Sequence, residues 1–131
     1  MNATPSLDGR TLLVVDDSAD TLELLDVILT MSGATVVTAS SATAGLQEFE
    51  RHHPDAVVSD LAMPNEDGFW LVHRLREALR AAGRHVPVLA LTAHRSRYSA
   101  SEVLGAGFDA MLLKPIDPHD LCHAIAALLQ A

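Results

Sequence analysis

Few side chains in this chain have types suited to chemistry, and most of those stand at the ends of apolar runs. Lys114 is the only lysine among 131 residues, closing Met111-Leu112-Leu113 immediately before Pro115. Every other permanently basic side chain is arginine, and lysine differs in offering a compact point charge rather than a planar fork. Leu12-Leu13-Val14-Val15 leads into Asp16-Asp17, and Ala56-Val57-Val58 leads through Ser59 into Asp60, while a further run ends at Thr92. If these runs are neighbouring parallel strands, three carboxylates and one ammonium converge on one edge of one sheet. Carboxylates so placed repel, and one or more holds a proton unless a cation intervenes. A hard oxygen cluster with room for water suits Mg²⁺, which shares its shell readily with phosphate oxygens. Phosphoryl transfer needs charge neutralised on those oxygens and an in-line nucleophile. Asp60 can be that nucleophile, forming an aspartyl phosphate, with Lys114 and the Thr92 hydroxyl holding the phosphoryl oxygens.

That chemistry requires elements that bring the run ends together. The runs are about Thr11–Asp16, Ala34–Thr38, Ala56–Asp60, Val86–Thr92 and Ala110–Leu113, each read as a strand. Between them, Ser18 is placed to N-cap a helix carrying Leu22, Leu25, Ile28 and Leu29 at helical spacing and closed by Gly33. A second helix covers about Ala42–His52, with Leu46 and Phe49 inward and Pro54 beyond its end. The third runs from about Gly68 to Ala82 and stops at Gly83; the fourth covers about 97–106, although its serines are poor helix formers. The fifth follows Asp117-Pro118, with Leu121, Ile125 and Leu128 on one face. Five strands alternating with five helices make an α/β doubly wound sandwich, because parallel strands need crossovers and the helices cover both faces. Ligands in such sheets bind at the carboxyl edge where the strand order reverses, and Asp16, Asp17, Asp60, Thr92 and Lys114 all fall there.

Composition narrows the classes. The chain is 49% hydrophobic with a formal charge of −8, which fits a globular domain and argues against sequence-independent nucleic-acid binding. No apolar stretch approaches membrane-spanning length and the first residues do not read as a signal peptide. Cys122, the single cysteine, fits a reducing, cytoplasmic setting and reads as a small core residue. The expected organisation is a loose tail over residues 1–9 and one domain over 10–131, with no output domain.

The motifs Val15-Asp16-Asp17-Ser18, Asp60-Leu61-Ala62-Met63-Pro64-Asn65-Glu66-Asp67-Gly68, Ala90-Leu91-Thr92-Ala93 and Lys114-Pro115 resemble the receiver domain of two-component response regulators over residues 10–130. The resemblance implies a flavodoxin-like (βα)5 fold with strand order 2-1-3-4-5. It also implies that Asp60 accepts a phosphoryl group from a sensor histidine kinase or a histidine phosphotransfer protein. Asp17, Asp60 and the Ala62 carbonyl would then bind Mg²⁺, with Asp16 acting largely through water, and Thr92 and Lys114 would contact the phosphoryl group. A cis bond at Lys114–Pro115 is expected on the same grounds, being cheap only before proline. Downstream, the implied partner is a protein docking on the fourth helix, last strand and fifth helix, the chain itself being a monomer or weak homodimer.

Two positions tune or break the pattern. The family often has Tyr or Phe three residues before the lysine; here Met111 stands there, so a Tyr-like rotamer switch is excluded, and the signal is expected through the Thr92 loop and the fourth helix. Ala62 offers no hydrogen bond to an attacking water, whereas His94 can shield the phosphoryl group or orient that water; slow to moderate self-dephosphorylation follows. His52-His53 read as a solvated helix end, and His73, His85, His119 and His123 as exposed positions without zinc spacing. Phe69 and Trp70 are packing residues beside Asp60. Arg95, Arg97 and Tyr98 read as a solvated face, and Arg74, Arg76, Arg80 and Arg84 as decoration of an exposed helix face.

Against the phosphoacceptor switch stand three other readings. A phosphorylation-independent interaction module would have lost an acidic or lysine position, and none is lost. A phosphohydrolase acting on outside substrates needs a cap insertion for which the connections are too short. A flavin-binding member of the same fold needs a phosphate loop after the first strand, where Asp16-Asp17 would repel phosphate. A stand-alone regulator and a receiver excised from a hybrid sensor kinase remain equally open.

Overall fold

The structure is a computed structural model describing residues 5–93 and 98–130. Ten elements alternate along the described residues: β1 (Thr11–Val15), α1 (Ala19–Met31), β2 (Thr35–Ala39), α2 (Ala42–His52), β3 (Ala56–Asp60), α3 (Gly68–Ala82), β4 (Val88–Thr92), α4 (Ala100–Gly105), β5 (Ala110–Leu113) and α5 (Pro118–Gln130). The strands form one parallel sheet in the order β2-β1-β3-β4-β5. This is the flavodoxin-like arrangement expected from the sequence.

Alternation along each strand divides the core in two. Leu13, Val15, Val57, Val88 and Ala90 face α2, α3 and α4, meeting Phe49, Leu71, Leu75 and Val103. Leu12, Val14, Val58, Leu89 and Leu91 face α1 and α5, meeting Leu25, Leu29, Leu121 and Ile125. β3 and β4 are buried at every position while β2 and β5, at the edges, are not, as near-continuous apolar runs in a two-sided parallel sheet require.

The helix starts follow local capping chemistry. Ser18, Ser41, Asp67 and Ser99 each accept a backbone N–H of the first turn. At α4, Ser99 and Glu102 form a reciprocal capping box. Ser99 caps the helix instead of lying within it, so α4 is shorter than the 97–106 expected; position 97 lies outside the described residues.

Two readings need correction. Leu7 is buried at 1% exposure, and its N–H donates to the Ser32 carbonyl at 2.7 Å, so the tail is docked from at least Leu7 onward. A single apolar side chain gave no periodic signal by which sequence could detect this. Arg76 does not decorate a solvated face. Its Nε and Nη2 donate to the Gly107 carbonyl at 2.9 and 2.7 Å, Nη1 to the Val86 carbonyl at 2.8 Å, and Nη2 also to Asp109 at 2.7 Å. Asp109 Oδ2 additionally accepts the Val88 N–H at 2.8 Å. The guanidinium fork thus ties α3 to the starts of β4 and β5. Arg76→Ala strands these acceptors near the protein interior and is expected to lower unfolding free energy by about 1–3 kcal/mol in urea titration, whereas Arg74→Ala should change it by less than about 0.5 kcal/mol.

Candidate functional site

The site lies at the carboxyl edge of the sheet. Asp16 follows β1 directly and its N–H still donates to the Ala39 carbonyl at 3.1 Å, continuing the β2 pairing one residue past the strand. Its side chain is fully buried. Oδ1 accepts the Ser18 N–H at 2.9 Å and Oδ2 accepts Lys114 Nζ at 3.0 Å, so both oxygens of a carboxylate removed from water are satisfied, as burial demands. Asp17 is exposed.

Asp60 ends β3 and is 7% exposed. Its backbone is held from several sides: Ser59 Oγ donates to the Asp60 carbonyl at 2.9 Å, and the Leu61 N–H donates to the Leu91 carbonyl at 3.1 Å. The loop that follows closes where the Gly68 N–H donates to the Leu61 carbonyl at 3.0 Å. A β-carbon at position 68 would collide with the Asp60 carbonyl oxygen, so glycine alone lets α3 begin against the end of β3. Asn65, at φ +66°, takes the left-handed turn within the loop, a conformation that asparagine tolerates better than most residues.

Thr92 ends β4, buried at 3% exposure. Its carbonyl accepts the Lys114 N–H at 2.8 Å, which fixes the lysine backbone against β4. From there the ammonium reaches Asp16 at 3.0 Å and Asp60 Oδ2 at 3.5 Å. The Lys114–Pro115 peptide bond is cis. One oxygen from each of Asp16, Asp17 and Asp60 lies within 4.8 Å of the others.

The electrostatics follow from this crowding. Burial, reinforced by the charge of Asp16, raises the Asp60 pKa above its ordinary 3.8, and Lys114 and the Leu61 N–H only partly offset them. For Lys114 burial works against the charge, but its bond to Asp16 and the charges of Asp60 and Asp16 outweigh it and raise the ammonium pKa. The lysine is therefore a permanent cation, and Asp60 is a carboxylate short of positive charge.

Of the other positions singled out from sequence, Ala62 is exposed. Met111 is half-buried on β5, packed against the core on the α3 and α4 side. His94, Arg95 and Arg97 lie outside the described residues. Cys122 is buried, its Sγ 3.2 Å from Ser32 Oγ. The sequence reading missed the Ser18 N–H as a partner of Asp16; the two-residue spacing of an Asx turn was the available signal. Tyr98, read as part of a solvated face, is instead packed against the core, its ring centroid 4.8 Å from that of Phe69, which joins the start of α3 to the segment preceding α4.

Because the folded-state pKa of Asp60 lies above 3.8, the folded chain keeps this proton over a pH window in which the unfolded chain has released it. Stability therefore falls as pH rises through that window, and the deficit persists at neutral pH. Asp60→Asn is expected to melt about 2–5 °C higher than the native chain at pH 7 without divalent cations, with the gain shrinking toward pH 4; calorimetry at the two pH values measures it.

Comparison with known proteins agrees with this geometry. The family model of the response regulator receiver domain matches residues 12–126. An uncharacterized 14.6 kDa protein of Leptolyngbya boryana is 41% identical over 92% of this chain and 90% of its own length. Hybrid signal transduction histidine kinase D of Dictyostelium discoideum is 35% identical over 95% of this chain, which spans only 8% of that protein. The transcriptional regulatory protein PrrA of Mycobacterium tuberculosis is 39% identical over 90% of this chain and 49% of its own length. Among solved structures, a putative response regulator from Chloroflexus aurantiacus superposes with a TM-score of 0.83 at 32% identity, covering 93% of this chain and 98% of that one. A response regulator receiver domain protein from Clostridium thermocellum gives 0.84 at 29% identity, covering 92% and 94%. With its strand order, its acidic edge and these matches in accord, the chain belongs to the response regulator receiver domain family of two-component signalling.

Proposed function

We propose that this chain is a phosphoacceptor switch in which Asp60 takes a phosphoryl group from a phosphohistidine and the acquired charge alters partner binding. The observation that carries the reading is a nearly buried carboxylate at the mouth of an acidic cluster, flanked by the chain's only lysine. In the step itself an Asp60 oxygen attacks phosphorus, the P–N bond breaks, and its electron pair returns to the imidazole nitrogen of the donor. Lys114 stands where it can hold a phosphoryl oxygen, and the Thr92 hydroxyl at the end of β4 is the second candidate contact. The group promotes only its own gain and loss of phosphate.

The donor set of three convergent carboxylates, all hard oxygens with Asp17 open to water, fits Mg²⁺. Asp16, Asp17, Asp60 and the Ala62 carbonyl would hold it, Asp16 largely through water. Bound there, Mg²⁺ supplies neutralisation of the crowded carboxylate and phosphoryl oxygens.

The expected donors are a sensor histidine kinase or a histidine phosphotransfer protein. Leu24, Val27 and Met31 are exposed on α1 at 50%, 52% and 82%, an apolar stripe at helical spacing that suits docking of a helical donor. On the output side the proposed face is α4, β5 and α5, since Thr92 and Lys114 anchor the loops that lead into it. With Met111 at the usual aromatic position, the route runs through Thr92 and the segment before α4. A cytoplasmic monomer or weak homodimer, without nucleic-acid or membrane binding, completes the reading; among the described residues no helix is long and apolar enough to cross a membrane. The Dictyostelium relative supports a second context, a receiver segment of a hybrid kinase.

Incubation with acetyl phosphate and Mg²⁺ should add the mass of one phosphoryl group to the native chain and none to Asp60→Asn; a native chain without added mass overturns the proposal. Lys114→Ala should slow the gain about 10–100-fold, read by intact mass against time. With beryllium trifluoride as phosphoryl mimic, backbone resonances of Ala100–Gly105 should shift in the native chain and stay in place in Thr92→Val. Unmoved α4 resonances in the native chain would exclude the Thr92 route.

A further inference from the structure

At the opposite, amino-terminal edge of the sheet, a groove of about 390 Å³ runs between the second half of α3 and the Ala106-Gly107 segment before β5. Its walls carry His73, Arg76, Arg80, Arg84 and His85, and among the described residues no carboxylate lines it. In a chain of formal charge −8 with eight arginines in all, three arginines on one groove are not an average surface. Arg76 and Asp109 neutralise each other at 2.7 Å, and His85 Nε2 lies 3.6 Å from the same carboxylate. Arg80 and Arg84 are exposed, and among the described residues neither makes an ion pair. They are the uncompensated charges of the groove.

We infer that this groove binds a compact polyanion of the diphosphate class, at a site distinct from the Asp60 edge. Guanidinium forks suit phosphate oxygens, which they grip through paired N–H bonds. The volume falls within the range of small-molecule sites, roughly 300–1,000 Å³. The remaining lining discriminates among anions. Among the described residues no Phe, Tyr or Trp ring lines the groove, and a chain of formal charge −8 repels an extended polyanion such as a nucleic acid. Among the described residues its apolar side chains are Leu79 and Ala106, too little for the buried anchors that hold a peptide. Gly107, at φ +122°, holds a backbone conformation that residues with a β-carbon rarely adopt. Arg76 itself is pinned by the Gly107 and Val86 carbonyls, so one wall is rigid before any ligand arrives.

The test is an NMR titration of the native chain with pyrophosphate, in EDTA to remove divalent cations and at about 0.15 M salt, where weak surface attraction is screened. Expected are saturable shifts confined to residues around 73–85 and 106–107. Arg80→Gln and Arg84→Gln, both at exposed positions and checked for native circular dichroism, should each weaken binding about tenfold. Arg51→Gln, exposed at the end of α2, should leave it unchanged. Non-saturating shifts, shifts centred on the Asp60 loop, or affinity indifferent to both arginines would overturn the inference. Tighter binding of hexaglutamate than of pyrophosphate would overturn it too, in favour of an acidic protein partner. None of these outcomes depends on whether Asp60 is phosphorylated.

Discussion

The pairing of buried Asp16 with half-buried Lys114 is the constraint on which the acidic edge rests. A carboxylate with no solvent exposure costs several kcal/mol unless it is paired and hydrogen-bonded. Asp16 meets that demand with one lysine ammonium and one backbone N–H. The two residues lie 98 positions apart and on strands separated by β3 and β4. For the pair to form, the segment after β5 must lean over the ends of β4 and β3, and the bond from the Lys114 N–H to the Thr92 carbonyl holds it there. Asp60 and Thr92 end the two strands that the lysine crosses, so satisfying Asp16 assembles the remaining groups around the ammonium.

The same arrangement leaves the site under electrostatic tension. Lys114 is shared between two carboxylates, the nearer being Asp16 at 3.0 Å and the farther Asp60 at 3.5 Å. One cation cannot fully offset two buried anions with a third beside them, and the raised proton affinity of Asp60 is the consequence. An edge built this way favours arrival of further positive charge at the carboxylates. It also ties the chemistry to the scaffold: α3 begins against the Asp60 carbonyl because residue 68 is glycine, and Phe69 of that first turn meets Tyr98 ahead of α4.

Much of the fold was legible because local and global signals agree. The apolar runs became the five strands, with ends displaced by one or two residues where hydrogen bonding rather than hydropathy decides. Val86 and Pro87 precede β4 because proline has no N–H for the ladder, although its carbonyl still accepts from Val57 at 3.0 Å. Capping residues marked the helix starts more accurately than propensity did, as Ser99 shows at α4. Leu7 and Arg76 were misread for a common reason. Each is an isolated residue whose partners, the Ser32 carbonyl for the Leu7 backbone and Val86, Gly107 and Asp109 for the Arg76 side chain, come from other parts of the chain. No pattern along a single element encodes such a meeting.

The amino-acid sequence by itself determined which groups stand at strand ends, because residue type and the periods of strand and helix are local properties. Asp16, Asp17, Asp60, Thr92 and Lys114, and their gathering at one edge of the sheet, were readable at that level. Only the tertiary structure decided how those charges are apportioned, since burial and distance set the energy of a charge. It placed Asp16 wholly inside and bound, Asp17 in water, and Asp60 between them with its proton affinity raised. It likewise separated four arginines that look alike along α3 and its end into one structural fork, Arg76, and an uncompensated pair, Arg80 and Arg84, while Arg74 lies over the ring of Trp70. Helical spacing could not distinguish them, because what differs is the neighbouring chain that each one meets.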